Sequence, residues 1–369
     1  MGKSGSNIQP QRLRRLLRRL VNIYSPSGKE EEILEFLYGY LRRRGIPVLR
    51  QPVDDNRYNL VVMPPETNIR LALIGHLDTV SAYDLETYEY SENGDLIKGL
   101  GTADMKGGCA AAVEAYLTLW EAGHTRLPAA LCLVVGEEEE GDGTECLIKE
   151  HHFPWAVIGE PTDLQPCLSN YGYLEIQIYT AGERKHASLA SAGQSPIEAM
   201  FRLMLHISHH MEESHPELVY NIRDLFSSPS GFAVPERCEA RLDIHLPPAA
   251  PIGEIVAELE EVVVREEREN SSTAMALRIA TIDGGYKLPE KGPVVAALKD
   301  VYAQHSLPWE PTAFRSHSDA NQLWAAGVKT ILLGPGRLEQ AHAPEESVSF
   351  QQVCLAAELY LDLLNSLGS

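Results

Sequence analysis

Four apolar runs along the chain end alike. "LALIG" (71–75), "LCLVVG" (131–136), "WAVIG" (155–159) and "TILLG" (330–334) each close on glycine and hand over to polar residues. Short, continuous apolar runs predict strands covered on both faces, as in a parallel sheet. "NLVVM" reads as one more strand. Helical patterns separate the runs: the small-residue-rich "MKGGCAAAVEAYLTLWEAG" and a segment around "TECLIKEHH". The alternation predicts an α/β fold with helices on both faces of a largely parallel sheet.

Two helices are predicted ahead of these strands. In "QRLRRLLRRLV", Leu13, Leu16, Leu17 and Leu20 share a face with arginines opposite. A membrane-surface helix has this pattern, but an ordinary amphipathic surface helix is the favoured reading. In "SPSGKEEEILEFLYGYLRRRG", Ser27 and Glu30 have the spacing of a capping box and Gly45 that of a helix stop. After "NYGYLEIQIYT" the texture changes. A helix from about Ser195 to Met211, a strand near "CEARLDIHL", a helix over "IGEIVAELEEVVVREE" and a strand near "ALRIATI" suggest an inserted α+β domain. From "GPVVAALKDVYAQ" the first texture returns, ending in a helix over "QQVCLAAELYLDLLNSL". The expected division is 1–168, 169–283 and 284–369, the first and last parts forming one domain.

Composition narrows the class. A chain of 369 residues is long for one core. The net charge of −20 argues against a phosphate-backbone partner. No apolar run approaches the roughly 20 residues of a membrane span, and the N-terminal stretch has no apolar signal region. Six cysteines without CxxC pairing suit reduced thiols, so a cytoplasmic location is expected.

The chemistry lies after the strands. His76 and Asp78 follow the first run, four glutamates (137–140) the second and Glu160 the third. A short loop leads from the fourth to His342. Parallel strands present their C-terminal ends along one edge, where ligands usually bind, so these groups should converge. Asp104 in "GLGTADMKGG" could join them. Histidines and carboxylates without thiolates suit zinc or a similar divalent ion, and a metal would offset the repulsion among the glutamates. Asp78, two residues from His76, is placed to hold the second imidazole nitrogen. A lone histidine after a strand is usually structural; the joint pattern carries the weight.

"GHLDTV", "GLGTADMKGG", "EEEEGDGT", "VIGEPT" and "AHAPEESV", in this order, resemble the signatures of a di-zinc hydrolase family. It includes acetylornithine deacetylase, succinyl-diaminopimelate desuccinylase, aminoacylase and glutamate carboxypeptidase. The resemblance spans nearly the whole chain. It implies a zinc-peptidase-like catalytic domain with an inserted ferredoxin-like lid, homodimerisation through that lid, and hydrolysis of an N-acyl amino acid or small peptide. It also implies two Zn2+ ions, with Co2+ or Mn2+ as alternatives. His76 and Glu160 would hold one ion, Glu139 and His342 the other, and Asp104 would bridge them. Aligned on Gly141, Glu138 becomes the general base; the alternative register makes Glu137 the base and Glu138 the ligand. A cis peptide is expected at Asp104–Met105, and His186 in "GERKHASLA" would stabilise the oxyanion across the dimer.

The match departs from the family in the insert. Ala190 stands where a proline is usual, Phe232 where a substrate-binding asparagine is common, and His245 where the strand often ends in arginine. How a substrate carboxylate is held is therefore open; Arg237, Arg241, Arg315 and Arg337 are alternatives. In "HISHHMEES", His206 and His210 have an i, i+4 spacing that could bind metal, but with no acid in register a surface helix is favoured. The "GLG" before "TADMKGG" fails as a dinucleotide fingerprint, because Asp104 takes the third glycine's place.

Overall fold

The runs ending in glycine are neighbouring strands of one sheet in the computed structural model, which describes residues 7–64, 68–82, 88–190, 194–229, 231–269 and 272–368. Across seven of its nine strands the order is Val48–Pro52, Tyr58–Val62, Ala129–Val134, Leu71–His76, Trp155–Ile158, Lys329–Leu332 and Cys167–Asn170. The four central strands, from Ala129–Val134 to Lys329–Leu332, are mutually parallel. Those flanking them are antiparallel. All residues of Leu71–His76, Ala129–Val134 and Trp155–Ile158 are buried, which is why their sequences run apolar without alternation.

This sheet belongs to a unit of Met1–Ser169, Leu288–Phe314 and Ser318–Ser369. The helix Gly107–Glu121 packs along the helix Phe350–Gly368. Its small residues allow a close approach: a Cβ at Gly108 would lie 2.1 Å from the carbonyl oxygen of Gly159. The start of that helix is thereby pressed against the strand end that carries Glu160. The arginine-rich helix Pro10–Val21 buries Leu13, Leu16, Leu17 and Leu20. Arg12 is buried with them, ion-paired to Glu114 at 2.7 Å and to Glu121 at 2.5 Å. Its apolar face is core, not membrane surface. The capping box is not formed: the helix Glu31–Arg42 has no side-chain cap, and the Ser27 hydroxyl donates instead to Asp78 Oδ2 at 2.7 Å.

The second unit is Asn170–Lys287 with Arg315–His317. Its four strands form an antiparallel sheet ordered Val219–Ser227, Arg237–Leu246, Gly172–Ala181, Ala274–Asp283. With the helices Pro196–Ser214 and Ile252–Glu269 the chain order is β-α-β-β-α-β, the split βαβ of ferredoxin-like folds. Leu174, Ile176 and Ile178 alternate with less buried neighbours and pack with Met200, Leu203, Ile207, Leu259 and Val262. The strand Val219–Ser227 was not expected from the sequence. It is a sheet edge exposed along most of its length, so burial imprints no alternation on it.

Candidate metal centre

The site is built where the parallel strands end. His76 closes its strand fully buried. Its Nε2 lies 3.2 Å from Asp104 Oδ1, 3.7 Å from Glu137 Oε2 and 3.9 Å from Glu160 Oε1. The other oxygen of Asp104, Oδ2, is 3.5 Å from Nε2 of His342, which is 2.9 Å from Glu138 Oε2. Asp104 thus stands between two imidazoles, one oxygen toward each. The peptide bond Asp104–Met105 is cis.

The glutamate run divides. Gly136, at φ +75°, turns the chain after its strand, and Glu137 and Glu138 dip into the cluster while Glu139 and Glu140 are exposed. Glu138 is held there by its backbone N–H, which donates to Asp78 Oδ2 at 3.0 Å. Glu139 therefore does not stand with His342, as alignment on Gly141 implied; Glu138 does. The placement matches the alternative register. Four identical residues carry no local mark of which two face inward. Asp78 faces the second imidazole nitrogen: its carbonyl oxygen lies 3.1 Å and its carboxylate Oδ1 3.7 Å from His76 Nδ1, while Oδ2 takes the Ser27 hydroxyl and the Glu138 N–H.

Two carboxylates here were given no role in the sequence reading. Glu346, four residues past His342 and 3% exposed, clamps the Asp104 loop. Its Oε1 accepts the N–H groups of Ala103 at 2.8 Å and Asp104 at 3.0 Å, and its Oε2 that of Gly101 at 2.8 Å. Asp319, also 3% exposed, opens a short helix capped by Ser318 through a capping box. Burial first, then Asp78 and Asp142, push its carboxyl up to about 7 against the opposing pull of His76 and Thr144. The Ser-Asp pair in "SHSDANQL" was a readable helix start; its proximity to His76 was not.

So many carboxylates perturb one another. Burial, reinforced by the neighbouring acids, holds Glu137 and Glu160 well above the usual carboxylate range. Burial also raises Glu138, and Asp104 adds to it. Asp104 itself is held low despite burial, by hydrogen bonds from His342 and His76. His342, between Asp104 and Glu138, is pushed up to about 11.

The donor set fits divalent ions. Ligand atoms of His76, Asp104 and Glu160 lie within 4.8 Å of one another, as do those of Asp104, Glu138 and His342, with Asp104 in both groups. Glu160 Oε1 and Glu138 Oε1 are buried without a hydrogen-bond partner. Unpartnered buried carboxylate oxygens are costly unless a cation satisfies them. Imidazole and carboxylate donors without thiolate suit zinc and its neighbours.

In the second unit His186 is exposed. Its Nδ1 faces the Ser188 N–H at 3.2 Å and the Ser188 hydroxyl at 2.7 Å. Phe232 is 90% exposed. His245 lies 5.6 Å from the Tyr173 ring, which stacks on His317 at 4.2 Å. Arg237 pairs with Glu239 and Arg241 with Glu175; in the first unit, Arg337 is 4.0 Å from Asp163.

The fold and this cluster are those of a metal-dependent hydrolase. The chain belongs to peptidase family M20/M25/M40, whose sequence pattern matches residues 72–366. An acetylornithine deacetylase of Edwardsiella ictaluri is 25% identical over 353 residues, covering 91% of this chain and 90% of that one. A probable carboxypeptidase of Neosartorya fischeri is 25% identical over 386 residues, covering 95% and 85%. A tripeptidase from Staphylococcus aureus has the same fold, with a TM-score of 0.81 at 19% identity and coverage of 98% and 100%. A dinuclear metal-binding peptidase from Bacillus subtilis matches with a TM-score of 0.69 at 12% identity, covering 96% and 97%. The chain is therefore a hydrolase acting on amide bonds.

Proposed function

We propose that this protein removes the acyl group from an N-acyl amino acid, in the manner of acetylornithine deacetylase or succinyl-diaminopimelate desuccinylase. The observation that carries the reading is Asp104, with one carboxylate oxygen toward His76 and the other toward His342. His76 and Glu160 would hold one ion, His342 and Glu138 the second, and Asp104 both. Bound there, two divalent ions of the zinc class would lower the pKa of a water and polarise an amide carbonyl.

The remaining roles belong to the chain. Glu137, 3.7 Å from His76 Nε2 and outside the His342 group, takes the proton of the attacking water and delivers it to the leaving amine. Asp78 fixes the Glu138 main chain. His186, whose Nδ1 accepts from the Ser188 N–H, would supply the oxyanion donor across the dimer, as the family resemblance implies. The reading includes a homodimer formed through the second unit, which acts as the lid, and a cytoplasmic location. A dipeptidase or carboxypeptidase reading is supported by the probable carboxypeptidases among the relatives. A non-catalytic ligand-binding relative is disfavoured, because no donor of the cluster is lost.

A screen of N-acyl amino acids and dipeptides with zinc, cobalt or manganese tests the proposal. Turnover of acyl amino acids is expected; exclusive turnover of dipeptides would move the assignment to a peptidase, and no turnover would sink it.

A further inference from the structure

The histidine-rich end of the helix Pro196–Ser214 holds a second group of donors. His210 lies in its last turn and His215 just beyond it, while Glu258 comes from the neighbouring helix Ile252–Glu269. Nε2 of His210 is 3.0 Å and Nε2 of His215 is 2.6 Å from one atom, Glu258 Oε2. The imidazole rings are 5.9 Å apart and nearly perpendicular, so both nitrogens aim at one point without stacking. The side chains of His210 and His215 are 23% and 13% exposed, and that of Glu258 39%. The donors are sheltered, with an opening to solvent beside the carboxylate.

The far side of each ring is also occupied. Ser214 Oγ is 3.4 Å from His210 Nδ1, and Glu217 Oε1 is 3.7 Å from His215 Nδ1. Histidines that bind a metal through one nitrogen are usually oriented by an oxygen at the other. The spacing suits a small ion. Bonds of about 2.0–2.1 Å in a tetrahedron separate donor atoms by roughly 3.3 Å. Opening the two Nε2–Oε2 distances to that value needs shifts below about 1 Å, which the half-open Glu258 side chain can supply. His206 takes no part: it pairs with Glu266 at 2.6 Å. The i, i+4 pair visible in the sequence is thus split between two acids of the other helix.

We propose that His210, His215 and Glu258 form a separate binding site for a divalent transition ion of the zinc class, completed by water and clipping the two helices of the second unit together. It rests on atoms of that unit alone and is independent of the catalytic reading.

The test is equilibrium dialysis of the full chain against Zn2+, with bound metal counted by mass spectrometry. The wild type is expected to retain one equivalent more than the His210→Ala/His215→Ala variant, the two melting alike in chelator. Glu217→Ala, which removes only an orienting carboxylate, is expected to weaken the additional site by about 10- to 100-fold. Equal stoichiometry in wild type and double variant would overturn the proposal. Should the double variant fail to fold, imidazole 15N spectra of the wild type decide. Zn2+ is expected to shift Nε2 of both His210 and His215, and unmoved resonances at saturating Zn2+ would refute the site.

Discussion

Glu346 touches neither imidazole, yet its replacement should loosen the metal centre. Its two oxygens accept three backbone N–H groups, those of Gly101, Ala103 and Asp104. Glu346→Gln keeps the shape and removes one acceptor. Whichever way the amide turns, at least one N–H meets a donor. A buried donor left without its acceptor costs about 1–3 kcal/mol, and each 1.4 kcal/mol is about tenfold in affinity. If the loop yields by letting Asp104 move, metal affinity should fall by about 10- to 100-fold, the usual effect of losing an outer partner. Glu346→Ala leaves all three donors bare and should also cost stability, at least about 3 kcal/mol by the same reckoning. Competition against a chromophoric chelator reads the affinity, and a thermal melt in excess chelator reads the stability separately. If Glu346→Gln binds zinc as tightly as the wild type and melts at the same temperature, the clamp is irrelevant and the reasoning fails.

Three further outcomes are expected. Glu137→Gln should keep its metal and lose about 100- to 10,000-fold in kcat, Glu138→Gln should lose metal, and Glu139→Gln should resemble wild type; metal analysis with kinetics checks all three, and a defect confined to Glu139 would restore the register aligned on Gly141. Stripping the metal should lower the melting temperature, since ions at 100 times their Kd contribute about 2.7 kcal/mol; calorimetry with and without chelator would expose a melt that does not move. Burial lowers the pKa of His245 below 6.5, so the unfolded chain binds the extra proton. Stability should decline as pH falls from about 6.5 toward the folded pKa. Urea unfolding across that range should show a shallower decline for His245→Gln, and identical slopes would contradict this.

The sheet was legible because burial on both faces writes itself as uninterrupted apolar sequence. "LALIG", "WAVIG" and "TILLG" could be little else, and the rule that parallel strands end on one side brought His76, Glu160 and His342 together before any coordinates. What could not be read were choices made by distant contacts. The inward-facing glutamates are selected by Gly136 and by the bond from Glu138 to Asp78. Ser27 abandons its local cap for Asp78, a partner fifty-one residues away. Glu346 acts on main-chain donors, which every residue type supplies equally. Glu258 reaches His215 across a separation of 43 residues, beyond any helical spacing.

The order of the groups along the chain has a consequence for biosynthesis. His76, Asp104, Glu137, Glu138 and Glu160 all precede the second unit, whereas Asp319, His342 and Glu346 follow it. On the ribosome the early acids emerge with neither their later imidazole nor the carboxylate that secures the Asp104 turn. The cluster closes only when translation has passed the entire insert, so a metal held by groups from both sides of it would mark a chain whose outer segments have already found each other.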